Sequence, residues 1–260
     1  MTTPDGTNVR ISSRGEGQTS TTWGTLLGSG VNQPATDDIA AYTGSAAALI
    51  MGVDYDAQSG FFGGLSTGQI SSDDGAGFET QQKGIYAGLY RDLGNGSELS
   101  FSLGATETKS ERNVAGLSGL EIAAAQYNSV VINASYTKSD IFDDLDLRLS
   151  YTGTFTEGYA ETGSSGNLTV EDGSTNTLAA RVQKSMPVDQ GSLRFGVDVL
   201  STTGQGGGIT LAGQTLDVES LDTGVTSRAF LGLDMDNVIA EIGVDNNGRT
   251  DATMSVKFSF

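Results

Sequence analysis

The chain contains neither cysteine nor histidine, and only 3 of its 260 residues are proline. Without cysteine it can form no disulfide framework and no thiol site. Without histidine it lacks the most common general base and an imidazole metal ligand, which excludes His-dependent triads and metal centres. We therefore expect no metal site and no cofactor.

Basic residues are also scarce: the chain has 14 Lys and Arg residues and 32 Asp and Glu residues, which gives a formal net charge of −18. Nucleic-acid binding needs the opposite balance, so we expect no nucleic-acid partner. No stretch approaches the roughly 18 consecutive apolar residues of a transmembrane helix. The opening segment, MTTPDGTNVR, lacks the apolar core of a signal peptide. If the protein is exported, we expect this chain to be the C-terminal part of a longer one.

What the chain does contain is period-two alternation of apolar and polar residues. Its last residues, TDATMSVKFSF, place Met254, Val256, Phe258 and Phe260 on one face of an extended strand and Lys257 on the other. Similar stretches recur at eleven earlier positions: residues 23–27, 49–55, 61–69, 85–90, 99–106, 129–136, 145–155, 178–183, 193–199, 228–233 and 238–243. We predict that these twelve stretches are β-strands.

The connections between the predicted strands alternate in length. Those after strands 2, 4, 6, 8 and 10 are short: DAQSG, DLGNGS, KSDIFDD, PVDQG and DMDN. Those after strands 1, 3, 5, 7 and 9 are long: residues 29–43, 70–79, 107–122, 160–174 and 204–221. An even strand count with short turns at one end and long loops at the other is typical of membrane β-barrels. The predicted fold is all-β: a 12-stranded antiparallel up-and-down transmembrane β-barrel.

The alternative is a soluble barrel or sandwich, which would bury the apolar phase. Three features favour apolar side chains on the outside. The polar phase mixes small residues with charges of both signs, which suits a hydrated lumen in which arginines and carboxylates pair. The apolar phase carries no charge over about 9 residues, the length of a tilted strand that crosses a bilayer. Aromatic residues cluster near the short turns, as in an interfacial girdle: Tyr55, Tyr136, Phe258 and Phe260.

Two sets of candidate site residues follow from this orientation. The first faces lipid and includes Leu147, Leu149, Phe195, Ile242 and Met254. The second is a polar network in the lumen: Asp54, Asp146, Arg148, Arg181, Arg194, Asp198, Arg228 and Glu241. Neighbouring strands lie about 4.8 Å apart, so an arginine can reach a carboxylate one or two strands away.

Several stretches resemble the translocator (β-barrel) domain of type V autotransporters. TTWGTLLGS resembles the opening Trp-containing strand of that family. LIMGVDYDAQSGFFGGLSTGQ is similar to its second and third strands, and GIYAGLYRDLGNGSELSFSLGAT to the hairpin that follows. The terminal KFSF resembles the C-terminal assembly signal, here Phe258 and Phe260. The resemblance covers about residues 19–260, and residues 1–18 form a polar linker and a candidate lumen segment.

The resemblance implies a location, a function and partners. The barrel would lie in the outer membrane of a Gram-negative bacterium with both termini in the periplasm. It would anchor a passenger N-terminal to this chain and help export it to the cell surface. The implied partners are outer-membrane lipid, the barrel-assembly machinery, periplasmic chaperones and its own passenger, and the implied state is a monomer. The alternative function is that of a stand-alone small outer-membrane porin or adhesin barrel.

The resemblance also raises self-cleavage, because some members of that family cut their passenger with lumen carboxylates and a linker Asn. Asn8 is the only Asn in residues 1–18. The acidic candidates are Asp54, Asp146, Asp198 and Glu241. Carboxylates in a mixed network more often serve as structural partners of arginines. We therefore assign no catalytic residue and expect a protein that is not an enzyme.

Overall fold

The computed structural model describes residues 22–35, 41–56, 58–72, 77–116, 119–142, 144–206, 208–211, 214–216, 221–235 and 237–259. Twelve of its strands form a closed barrel. They are β1 (Thr22–Gln33), β2 (Tyr42–Asp54), β3 (Ser59–Ser71), β4 (Phe78–Gly94), β5 (Ser97–Gly116), β6 (Gly119–Phe142), β7 (Leu145–Thr156), β8 (Gly173–Val188), β9 (Gly191–Gln205), β10 (Leu221–Met235), β11 (Val238–Asp245) and β12 (Thr250–Ser259).

The strands follow one another around the barrel in chain order. Each pairs antiparallel with the next, and β12 pairs antiparallel with β1 to close the sheet. This confirms the predicted 12-stranded antiparallel up-and-down barrel. Within the described ranges, no helix is long and apolar enough to cross a membrane.

Side-chain exposure alternates along the strands. On β2, Met51 and Val53 are exposed on the outer surface, while Ile50 and Asp54 are buried on the interior side. The same alternation on the other strands produces an outer belt of exposed apolar residues, which includes Leu65, Ile85, Leu103, Val130, Leu178, Val197 and Leu231. The interior face carries small, polar and charged side chains together with a few large aromatic ones.

The prediction of a loop over residues 107–122 is wrong. β5 and β6 pair as far as Gly116 and Gly119, and so form one long hairpin. The outward residues of this part of β5 are polar and exposed: Glu107, Lys109 and Glu111. The hydrophobic alternation therefore ends although the backbone pairing continues. We call residues 107–116 and 119–128, which lie beyond the apolar belt, the β5–β6 extension.

Two other predicted loops contain a small second sheet, which we call the loop sheet. Its strands, in spatial order, are Gln214–Leu216, Ile209–Leu211, Leu168–Val170 and Tyr159–Ala160. The first two belong to the connection between β9 and β10, and the last two to the connection between β7 and β8. One bridge between Ala124 and Thr162 attaches this sheet to β6.

The barrel begins and ends at the same edge, which is also the edge with the short turns. Trp23 near the start of β1 pairs with Ser259 at the end of β12. On its other side Trp23 pairs with Gly52, close to the turn between β2 and β3. The predicted linker over residues 1–18 and the terminal Phe260 lie outside the described residues.

Candidate functional site

A cavity of about 660 Å³ occupies the barrel interior. Its polar lining includes Ser102, Asn133, Thr177, Thr202 and Ser255, and its charged lining includes Arg148, Arg181, Arg194, Asp198, Arg228, Glu241 and Asp251. These charged residues come from β7 to β12, whose interior face we call the charged wall. The interior face of β1 to β4 carries buried aromatic rings instead, and we call it the aromatic wall.

Two arginines and two carboxylates form the centre of the charged wall. Arg181 donates two hydrogen bonds to Asp198, at 2.6 and 2.9 Å, and two to Glu241, both at 3.0 Å. Arg228 donates from Nη1 to the same carboxylates, at 2.7 Å to Asp198 and 2.9 Å to Glu241. The register explains the contact, because Asp198 lies opposite Arg181 on β8 and opposite Arg228 on β10. Four predicted lumen residues are thus joined in one ring of ion pairs.

The sequence analysis missed two partners of this ring. Asp251 on β12 accepts hydrogen bonds from Nε and Nη2 of Arg228 at 2.7 and 2.6 Å. The ring of Phe230 lies against Arg181, whose Cζ is 4.1 Å from the ring centroid. Arg228 passes over Gly243, where an added Cβ would overlap the guanidinium. Asp251 and Phe230 both alternate with the apolar residues of their strands and so were expected on the interior face. The alternation does not show how far along the barrel axis a residue lies, so it could not identify them as partners of the ring.

The ring is shielded from solvent, since the exposed fractions of its five charged side chains lie between 9% and 20%. Arg148 also interacts electrostatically with Asp198 and Glu241. Three arginines therefore face three carboxylates. Removing one member of a buried ion pair leaves an uncompensated charge, which typically costs about 3–5 kcal/mol.

The other three predicted lumen residues lie away from the ring. Asp146 accepts hydrogen bonds from Gln183 at 3.2 Å and from the backbone of Asp140 at 3.1 Å, near the turn between β6 and β7. Asp54 lies on the aromatic wall and accepts a hydrogen bond from the hydroxyl of Tyr90. Arg194 makes no ion pair with a described carboxylate. The predicted network is therefore a compact ring with outlying members.

The aromatic wall pairs rings with glycines of neighbouring strands. Its buried large residues are Trp23, Ile50, Phe62, Tyr86 and Tyr90. A Cβ added to Gly52, Gly60, Gly64 or Gly88 would overlap the ring of Trp23, Tyr90, Tyr86 or Phe62 respectively. Trp23 also donates from Nε1 to the hydroxyl of Tyr90 at 3.4 Å, and the rings of Phe62 and Tyr90 are stacked. All five large residues lie in stretches that were predicted to be strands, but the pairing of rings with glycines was not predicted.

Most of the residues predicted to face lipid are exposed on the outer surface. The exposed fractions are 45% for Leu149, 38% for Phe195, 61% for Ile242 and 54% for Met254. Leu147 is half-buried. At the closing seam the ring of Phe258 covers Gly24 of β1, where a Cβ would overlap it.

The loop sheet is held on the inward side of the β5–β6 extension. Arg112 and Glu161 form a bidentate pair with both contacts at 2.6 Å, and the backbone NH of Leu168 donates to the same carboxylate at 2.8 Å. The rings of Tyr127 and Tyr159 stack with centroids 4.5 Å apart. Partial burial opposes ionisation of Glu161, but the hydrogen bonds from Arg112 and Leu168 outweigh it and hold the pKa of Glu161 below its usual value. Since Arg112 and Tyr127 continue the interior phase of their strands, the loop sheet lies at the mouth of the barrel.

Comparison with known proteins identifies the fold. No protein-family model and no curated protein matches the chain. The translocator domain of the autotransporter NalP from Neisseria meningitidis superposes with a TM-score of 0.64 at 14% identity, covering 98% of this chain and 94% of that one. The β-domain of the Bordetella autotransporter BrkA gives 0.58 at 10% identity, with coverages of 94% and 100%. An outer membrane channel from Pseudomonas putida gives 0.58 at 13% identity, with coverages of 93% and 96%. The resemblance to autotransporter translocator domains is thereby confirmed at the level of the fold.

Proposed function

We propose that this chain is an outer-membrane translocator that anchors a passenger preceding it and helps export that passenger to the cell surface. The observation that carries the proposal is the match in size as well as in fold. The NalP translocator domain and this chain cover each other almost completely, at 94% and 98%. The NalP domain also gives the higher TM-score, 0.64 against 0.58 for the Pseudomonas putida channel, which matches this chain over a similar length.

The interior offers a suitable path for an extended chain. The cavity is lined by hydroxyl, amide and charged groups such as Ser102, Asn133 and Thr177. Such groups can exchange hydrogen bonds with a passing backbone, which would otherwise lose its bonds to water. Because Trp23 lies beside Ser259 at the short-turn edge, a passenger joined before β1 would enter the lumen from that edge. In this proposal the short-turn edge faces the periplasm and the loop sheet faces the cell exterior.

The outer belt supplies the membrane anchor. Exposed apolar side chains such as Leu149, Ile242 and Met254 would contact the acyl chains of outer-membrane lipid. Within the apolar belt the described strands close on themselves and leave no unpaired edge strand through which copies could associate, so we propose a monomer. Phe258 and Phe260 would be recognised by the barrel-assembly machinery after delivery by periplasmic chaperones.

The proposed role is not enzymatic. Asp198 and Glu241, two of the four acidic candidates for self-cleavage, each have both carboxylate oxygens bound by guanidinium donors. Asp146 and Asp54 are each held by side-chain donors, Gln183 and Tyr90 respectively. A carboxylate in this state is a structural partner of its donor rather than a free base.

An export assay tests the proposal. A small protease-sensitive reporter is fused before Met1, behind a signal peptide, and produced in a Gram-negative host. We expect external protease to digest the reporter on intact cells, while the barrel shows the heat-modifiable gel migration of a folded barrel. The control lacks residues 250–260, cannot close the barrel and should leave the reporter protected. A folded barrel with a fully protected reporter would contradict the proposal.

A small outer-membrane channel is the second candidate. The similarity to the Pseudomonas putida channel and the polar cavity favour it. Stable single-channel currents from the chain in planar bilayers, together with failure of the export assay, would support the channel function instead.

A further inference from the structure

Arg194 on β9 is a buried cation that makes no ion pair with a carboxylate of the described residues. Only 7% of the residue is exposed, and its Nε has no hydrogen-bond partner in the part of the chain that the structure describes. The residue opposite it on β10 is Gly232, so no side chain at that position covers the guanidinium. Arg194 nevertheless lines the interior cavity. Its charge therefore faces the lumen rather than a neighbouring acid.

A second buried cation interacts with it. Lys257 on β12 is 3% exposed, and its charge and that of Arg194 repel each other. The carboxylate paired with Lys257 is that of Asp234, at 3.3 Å. Asp234 is thus paired with Lys257, whereas Arg194 is paired with no described carboxylate, which leaves its positive charge uncompensated in this part of the wall.

The ring of ion pairs on the same wall does not neutralise this charge. The oxygens of Asp198 and Glu241 are all engaged by Arg181 and Arg228. A buried charge without a counter-ion is costly, so a site of this kind favours any anion that can reach it. The cavity gives such an anion a route to Arg194.

We propose that Arg194 and Lys257 form an anion-binding site on the lumen wall, and that its ligand is an oxyanion of the carboxylate or phosphate class. A guanidinium presents parallel donors that match the two oxygens of such a group, and an ammonium adds charge without directional demands. The oxyanion comes either from solution or from an acidic residue of the chain's own linker, Asp5 or Glu16. The site goes beyond the export function and does not require a passenger.

A phosphate titration of the full chain, folded in detergent micelles, tests the site. The midpoint of thermal unfolding is followed by heat-modifiable gel migration, with chloride replaced by inorganic phosphate at constant ionic strength. A ligand that binds only the folded state raises this midpoint. We expect phosphate to raise it in the wild type, Arg194→Gln to abolish the shift, and Lys257→Gln to reduce it. Arg194→Lys keeps the charge and should retain part of the shift.

The control is Arg91→Gln, which removes an exposed cation from β4 and should leave the phosphate shift unchanged. A linker variant, Asp5→Asn with Glu16→Gln, distinguishes the two sources. A shift seen only in the linker variant, and lost on adding Arg194→Gln, would show that the linker fills the site. An equal shift in the wild type and Arg194→Gln would overturn the proposal. The absence of a shift in both the wild type and the linker variant would overturn it as well.

Discussion

The charged wall and the aromatic wall share one packing arrangement but differ in the chemistry of the side chains. In both, a glycine leaves room for a long side chain from a neighbouring strand. Gly243 lies under the guanidinium of Arg228 in the charged wall, and Gly52 lies under the ring of Trp23 in the aromatic wall. The barrel interior is therefore stabilised by ion pairs on the charged wall and by close packing of rings on glycines on the aromatic wall. We therefore expect the barrel to be destabilised when a charged side chain is removed from the charged wall. We expect the same when a methyl group is added to a glycine of the aromatic wall.

The two walls also differ in what they offer the lumen. Beside the ring of ion pairs, the charged wall presents the hydroxyl groups of Thr177, Thr202 and Ser255 at the cavity surface, where a polar solute or a passing chain can meet them. The rings of the aromatic wall turn toward neighbouring strands and cover backbone that glycine would otherwise leave bare. For the proposed passenger we therefore expect polar contacts chiefly with β7–β12, and close packing of rings on glycines in β1–β4.

Removal of one charge should give the largest effect. Arg228→Met leaves Asp251 without its guanidinium and deprives Asp198 and Glu241 of a shared donor. We expect a loss of about 3–5 kcal/mol in the free energy of unfolding, measured by urea titration in detergent micelles. Adding Asp251→Asn to the same chain should recover part of the loss, because the stranded charge disappears. A loss below about 1 kcal/mol, the typical worth of an exposed pair, would show that water already solvates the ring.

Adding one methyl group to the aromatic wall should give the next largest effect. In Gly52→Ala the new Cβ would overlap the ring of Trp23 and lie 2.9 Å from the backbone oxygen of Phe61. Overpacking of this kind costs about 1–3 kcal/mol. The matched control is Gly28→Ala, because a Cβ there has nothing within 4 Å and the change should be neutral or slightly stabilising. Equal stability of the two variants would contradict the shape-based account of this wall.

The sequence predicted the twelve barrel strands and, for most of them, the side on which each residue lies. It did not predict how far along the barrel axis a residue lies or which residue it contacts. Period two places Arg181, Asp198 and Arg228 on one face, and the structure brings them together. Asp146 shares that phase and yet lies near a turn, because height depends on the strand register. The register also decides that Trp23 meets Gly52, a pairing that no single strand encodes. The β5–β6 extension was missed because the outer face of its β5 part is polar, with Glu107, Lys109 and Glu111, so hydrophobic alternation on that strand could not reveal it.

A charged contact near bulk water should show the smallest effect, which sharpens the contrast with the buried ring. Arg112 and Glu161 join the loop sheet to the β5–β6 extension, and the Arg112 side chain is 31% exposed. We expect Glu161→Gln to weaken this attachment by about 1 kcal/mol or less. Amide exchange at Ala124 and Thr162, which bridge the two parts, measures the change.

The same contact has a predictable pH dependence. The pKa of Glu161 is lowered in the folded state, so its contribution is fully present above the ordinary Glu pKa of about 4.3 and is lost as pH falls through the lowered value. The difference in exchange between the wild type and Glu161→Gln should therefore shrink in acid. A difference that stays constant from neutral to acidic pH would show that the carboxylate charge has no part in the attachment.

The central claim is that the apolar phase of the barrel meets lipid and the polar phase meets the lumen. Adjacent residues on β7 test it: Leu149 is exposed on the outer belt, and Ser150 lines the cavity. The decisive measurement is the free energy of folding into lipid vesicles for Leu149→Arg and Ser150→Arg. We expect Leu149→Arg to cost about 2–4 kcal/mol, as for arginine facing lipid near the bilayer midplane, and Ser150→Arg to cost clearly less. Equal costs, or a larger cost for Ser150→Arg, would contradict the membrane orientation of the barrel.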